Sequence, residues 1–120
     1  MTDYKAVVND VLKNDFKHIT AVLIYENELP SVFVHPPYAD TKTLFFEVSQ
    51  GLREIMENII NFEMNKMHEV PVYIGKKLVL AYFMRIDPLK TVVIVSDTRE
   101  KDNLEIRFEK ILNEIKERIS

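Results

Sequence analysis

Residues Asp40–Met67 read DTKTLFFEVSQGLREIMENIINFEMNKM, and the spacing of their apolar side chains decides what kind of domain this chain forms. At roughly 100° per residue, Leu44, Val48, Leu52, Ile55, Ile59 and Phe62 fall on one stripe, which predicts a single long helix over 40–67. Phe45, Phe46, Met56, Ile60, Met64 and Met67 widen that stripe, and Glu47, Gln50, Glu54, Glu57, Asn58, Asn61 and Asn65 fill the opposite side. The apolar arc covers about half the circumference, more than the roughly 100° a helix needs to rest on one core.

Upstream, Tyr4, Val7, Val8, Val11 and Leu12 keep helical spacing and predict a first helix over 3–16, with Thr2 or Asp3 as its N-cap. Residues 19–25 (ITAVLIY) are β-prone and apolar on both alternating faces, as in a strand covered on both sides. A short polar break at 26–28 and a second strand over 29–34 imply a hairpin, which His35-Pro36-Pro37 ends. Downstream, three strands are expected over 69–74, 77–86 and 91–95, joined by turns at Gly75-Lys76 and Asp87-Pro88-Leu89. Pro71 places the first of them at a sheet edge. A final helix over 103–119 should be capped by Asp102, with Glu105 completing a capping box. The order is α-β-β-α-β-β-β-α. It predicts one α+β domain over 1–120, in which helices pack on the faces of a five-stranded, mostly antiparallel sheet.

A chain of 120 residues is long enough for one hydrophobic core and too short for two. Its 47% hydrophobic and 29% charged content suits a soluble domain, and the net charge of −3, with bases and acids interleaved, argues against a nucleic-acid binder. Cysteine is absent, which leaves no disulfide, thiolate metal site or thiol nucleophile. The start of the chain has no signal-peptide pattern, and no apolar run approaches the roughly 20 residues that span a bilayer. A cytoplasmic protein with no membrane insertion is expected. With two glycines, Gly51 and Gly75, neither Gly-x-Gly-x-x-Gly nor a phosphate-binding Gly-x-x-x-x-Gly-Lys-Ser/Thr can be written.

Catalytic and metal motifs are equally sparse. His18, His35 and His68 form no close ligand pair and sit at element boundaries, where solvated or capping roles outweigh a metal site. The serines occupy no Gly-x-Ser-x-Gly or Ser-x-x-Lys motif, and the acids lie mostly on lysine-bearing helix faces. Lys76-Lys77 reads as a charged hairpin tip. The polar loop Ser96–Asp102 precedes a helix N-terminus and carries Arg99, which could reach an anion or a partner's nucleotide; connection and capping outweigh that use. No catalytic residue, metal or cofactor is expected.

The broad arc on the long helix stands apart from these. Burial inside its own fold is one account, but a small domain has little volume to cover both flanks. The flank of Phe46, Met56, Ile60, Met64 and Met67 has the aromatic and methionine-rich composition of protein–protein interfaces. Gly51 beside it would let another backbone approach. A second copy of the chain is the expected cover, with the edge strand containing Val70 and Val72 extending the contact.

The element order and two local stretches resemble the roadblock/longin superfamily, and within it the roadblock branch. Tyr25-Glu26-Asn27-Glu28-Leu29-Pro30-Ser31 is similar to the family's acidic-Gly-Leu-Pro turn, with Glu28 at the glycine. Asn103-Leu104-Glu105-Ile106-Arg107 is similar to its Asn-Leu-Gly-x-x-Arg opening of the last helix, with Glu105 at the glycine and the arginine one place early. A leading helix and a single closing helix favour roadblock over longin. The resemblance implies non-catalytic work: dimerisation with itself or a related roadblock/longin subunit through the long helix and following strand, and regulation or scaffolding of a small Ras-like GTPase, or an adaptor role. A small-molecule sensor of PAS or GAF type is the alternative. It would require a pocket between sheet and helix, where bulky Leu, Ile, Phe and Met residues are expected instead.

Overall fold

The structure, a computed structural model, describes residues 2–120. Its elements are α1 (Tyr4–Leu12), β1 (Ile19–Glu26), β2 (Leu29–Val34), α2 (Thr41–Glu57), a 3₁₀ turn (Ile59–Asn61), β3 (Met67–Ile74), β4 (Lys77–Asp87), β5 (Lys90–Ser96) and α3 (Leu104–Ile119). The strands form one sheet in the order β2-β1-β5-β4-β3, and every neighbouring pair is antiparallel. The α+β class and the element order are those expected from the sequence.

Strand alternation divides the core in two. On β1, Val22 and Ile24 point to the face covered by α1 and α3, where they meet Val8, Tyr82, Phe108, Leu112 and Ile115. Ala21, Leu23 and Tyr25 point to the face covered by α2, where they meet Val48, Leu52, Met56 and Phe83. A strand buried on both faces reads as a continuous apolar run.

The largest differences from expectation are at three helix ends. The long helix stops at Glu57 instead of continuing to Met67. Asn58 turns its side chain back to donate to the Glu54 carbonyl at 2.8 Å, and its N–H reaches Ile55 and Met56, closing the helix before the 3₁₀ turn. Asparagine competes in this way for helix carbonyls. Asn65 adopts a left-handed backbone (φ 60°) that turns the chain into β3, which starts at Met67. The first helix ends at Leu12 because Lys13 and Asn14 are left-handed; Asp3 is its N-cap, accepting from the Ala6 N–H at 3.2 Å. At α3, Asp102 and Asn103 are both left-handed, and Asn103 stands at the N-cap without a side-chain bond. A capping side chain needs extended backbone to lie over the helix end, so the expected Asp102–Glu105 box does not form.

Candidate functional site

The face of α2 turned away from the sheet carries Lys42, Phe46, Gln50, Arg53, Glu54 and Glu57, all exposed. Among the strands α2 lies closest to β3, and Gly51 is the reason. A Cβ there would fall well inside contact distance of the Tyr73 carbonyl oxygen and 2.7 Å from Ile74 Cδ1. The backbone that Gly51 admits is therefore that of its own edge strand, not a second molecule's. Between helix and edge runs an open groove of about 670 Å³, lined among others by Phe46, Gln50, Glu54, Ile55 and Tyr73.

The β3 edge has polar groups to offer. The β3–β4 hairpin closes with Ile74 opposite Lys77 around Gly75-Lys76. In such a two-residue hairpin the closing pair exchanges hydrogen bonds, and alternate residues point their backbone groups outward. Met67, Glu69, Pro71 and Tyr73 thus turn their backbone groups away from β4, and of these the Tyr73 carbonyl is already covered by Gly51 of α2. Proline lacks only an N–H that would have pointed outward, so Pro71 costs β3 nothing within the chain.

The seven residues expected at the interface separate into three groups. Phe46 (66% exposed), Ile60 (76%) and Met64 lie at the surface. Met56, only 3% exposed, is inside the α2 core together with Val72, which corrects the expectation that they form a docking surface: Met56 continues the Val48–Leu52 row at i+4 spacing. Met67 and Val70 are half-buried on opposite faces of β3, Met67 against the α1/α3 core and Val70 against the α2 core. Ending α2 at Glu57 dissolves the continuous flank that would have aligned Met56, Ile60, Met64 and Met67. Tyr73, 63% exposed beside the groove, was missed by sequence reasoning. Its position in strand alternation, off the side occupied by Val70 and Val72, was the available signal.

Elsewhere the polar groups serve the fold. His35 Nδ1–H donates to the Pro36 carbonyl at 2.7 Å while its Nε2 accepts from Thr41 Oγ1 at 3.1 Å. His68 Nε2 donates to the Glu63 carbonyl at 2.9 Å, and His18 pairs with Asp97 at 3.2 Å. The loop after β5 is stitched down by the Leu80 N–H to the Thr98 carbonyl and by the Thr98 N–H to Ser96 Oγ. Arg99 is exposed within it. The ion pairs of Arg107 and Arg118 cross from α3 to Asp15 and to Asp10 on α1's side, rather than running along α3. Among the described residues, no three His, Cys, Asp or Glu groups converge as metal ligands, and no helix is long and apolar enough to cross a membrane. No protein-family model matches the chain, and no curated protein matches it at a significant level.

Proposed function

We propose that this chain is a non-catalytic interaction domain that pairs with a second copy of itself through the exposed side of α2 and the free edge of β3. The observation that carries the reading is the order of residues along the exposed helix. Lys42, Phe46, Arg53 and Glu57 lie on one side at near-helical spacing, and the row complements itself when reversed. In an antiparallel pair centred between Ser49 and Gln50, Lys42 of one copy stands opposite Glu57 of the other, and Phe46 opposite Arg53. That places an ion pair and a cation–π contact on each side of a two-fold axis. An exposed aromatic at the middle of such a row gives the contact its apolar area. By its resemblance to roadblock domains, the paired module binds a small Ras-like GTPase or joins a larger assembly as an adaptor in the cytoplasm. The sensor alternative has less support, because Leu52, Met56 and Phe83 fill the space under α2, and Tyr82, Phe108 and Leu112 the space under α3.

Molar mass in solution tests the pairing. At about 100 µM the native chain should run at twice its 14.1 kDa. Phe46→Glu should run as a monomer with its fold intact. Lys42→Glu should weaken pairing about tenfold, and adding Glu57→Lys should restore it. A native chain that stays at 14.1 kDa refutes the reading.

A further inference from the structure

On the flank where Phe45 stacks over Phe33 of β2, α2 carries an open bowl of about 490 Å³, lined by Thr41, Lys42, Phe45, Phe46 and Ser49. The Phe45 ring is held in place by that stack, with centroids 5.1 Å apart, while Phe46 is exposed. Beside the two rings, Ser49 Oγ is buried and has no hydrogen-bond partner in the protein. A serine inside a helix can bond back to the carbonyl four residues earlier. Here that bond is not made, and a buried hydroxyl without a partner is unfavourable. The bowl thus joins two aromatic faces to one unused oxygen, with the Lys42 ammonium among its lining groups.

We propose that this bowl takes the guanidinium of Arg53 from a second copy of the chain, an assignment that rests on the pairing of α2 argued above. The antiparallel row that sets Lys42 opposite Glu57 of the second copy also sets Phe46, next to Phe45 and one turn from Ser49, opposite its Arg53. A guanidinium is flat. Its faces stack on aromatic rings while its N–H groups donate in the plane, so it can meet both rings and Ser49 Oγ together, which a compact ammonium does less well. Glu57 of the second copy arrives with that arginine and neutralises Lys42. Within one chain Arg53 cannot fill the bowl, because it stands two turns from Phe46, about 10 Å along the helix axis. Its Nε instead donates to Glu57 Oε1 at 3.2 Å. Both members of that pair are exposed, so the contact is weak, and pairing hands Glu57 to Lys42 and frees the arginine. Each copy gives one Arg53 and receives one, as a two-fold axis requires.

The test is an isotope-filtered NOE experiment on the full chain, in which nitrogen-labelled and unlabelled protein are mixed. The Arg53 Nε–H of labelled copies should give cross-peaks to the ring protons of Phe45 and Phe46 of unlabelled ones, which no contact within one copy can supply. Arg53→Lys keeps the charge but loses the planar fork. It should weaken pairing about tenfold, and Ser49→Ala about threefold, each with a spectrum that reports an intact fold. In the double variant Ser49→Ala should add nothing further, because the group that met its oxygen is already gone. A paired native chain without the cross-peaks, or Arg53→Lys pairing as tightly as the native chain, would overturn the arginine assignment and leave the pairing of α2 standing. A native chain that remains a monomer overturns both.

Discussion

Gly51 sets two opposing energies against each other at one position. Inside a helix, glycine is less favourable than alanine by about 1 kcal/mol, so Gly51→Ala would stabilise α2 if space allowed. The Cβ would instead press on the Tyr73 carbonyl and Ile74, which are backbone and packed side chain. Overpacking of this kind costs ~1–3 kcal/mol, and the substitution should lower the thermal midpoint. A rise would mean that β3 yields freely. Met56 and Phe46 make a second contrast. Met56→Ala empties part of the α2 core and should cost roughly 2–4 kcal/mol in denaturant unfolding, whereas Phe46→Ala should change monomer stability by less than ~0.5 kcal/mol. Two buried phenols give the protein an alkaline limit. Burial pushes Tyr25 up to about 12, as it does Tyr82. Between pH 10 and 12 the unfolded chain loses protons that the folded chain keeps, so stability is complete below pH 10 and falls as pH rises through that window. Tyr25→Phe and Tyr82→Phe should each flatten the fall in urea midpoint measured from pH 9 to 11.

At the scale of elements, the stretch between α2 and β3 is tied to the sheet by His68 Nε2, which donates to the Glu63 carbonyl, and by two bonds to Arg85. Arg85 Nη1 donates to the Phe62 carbonyl at 3.0 Å, and the Asn65 N–H donates to the Arg85 carbonyl at 2.7 Å. Phe62 also meets Phe83 edge-on, with centroids 4.9 Å apart. Arg85→Met removes the side-chain bond while keeping the stem. It should speed hydrogen exchange of the amides in 58–66 and leave β1 and β5 unchanged; equal acceleration everywhere would show that this stretch opens only with the whole domain. The helix end that creates the stretch was only partly legible. Apolar periodicity runs on through Ile59 and Phe62, and only Asn58, Asn61 and Asn65 mark the break, by competing for backbone carbonyls. Pro71 was more informative. Its missing N–H excludes it from the middle of a sheet, and β3 is indeed an edge.

The whole molecule is unevenly covered. Two helices share one face of the sheet and α2 alone serves the other. Any partner that covers α2 therefore protects the layer with the least protein over it. If two copies pair there, protection of α2 and β3 amides should rise with protein concentration while that of α1 and α3 stays constant. Concentration-independent exchange across all elements would contradict the pairing.

Sequence alone determined the α+β class, the order of elements and the edge position of β3. These follow from periods of two and 3.6 residues and from the geometry of proline and two-residue turns, all of which act over a few neighbours. Tertiary structure decided which apolar residues are hidden. Met56 and Phe46 are both apolar residues of one helix, but Met56 faces Phe83 and its neighbours in the sheet while Phe46 faces water. Burial depends on what stands opposite a side chain in space, and no local pattern carries that.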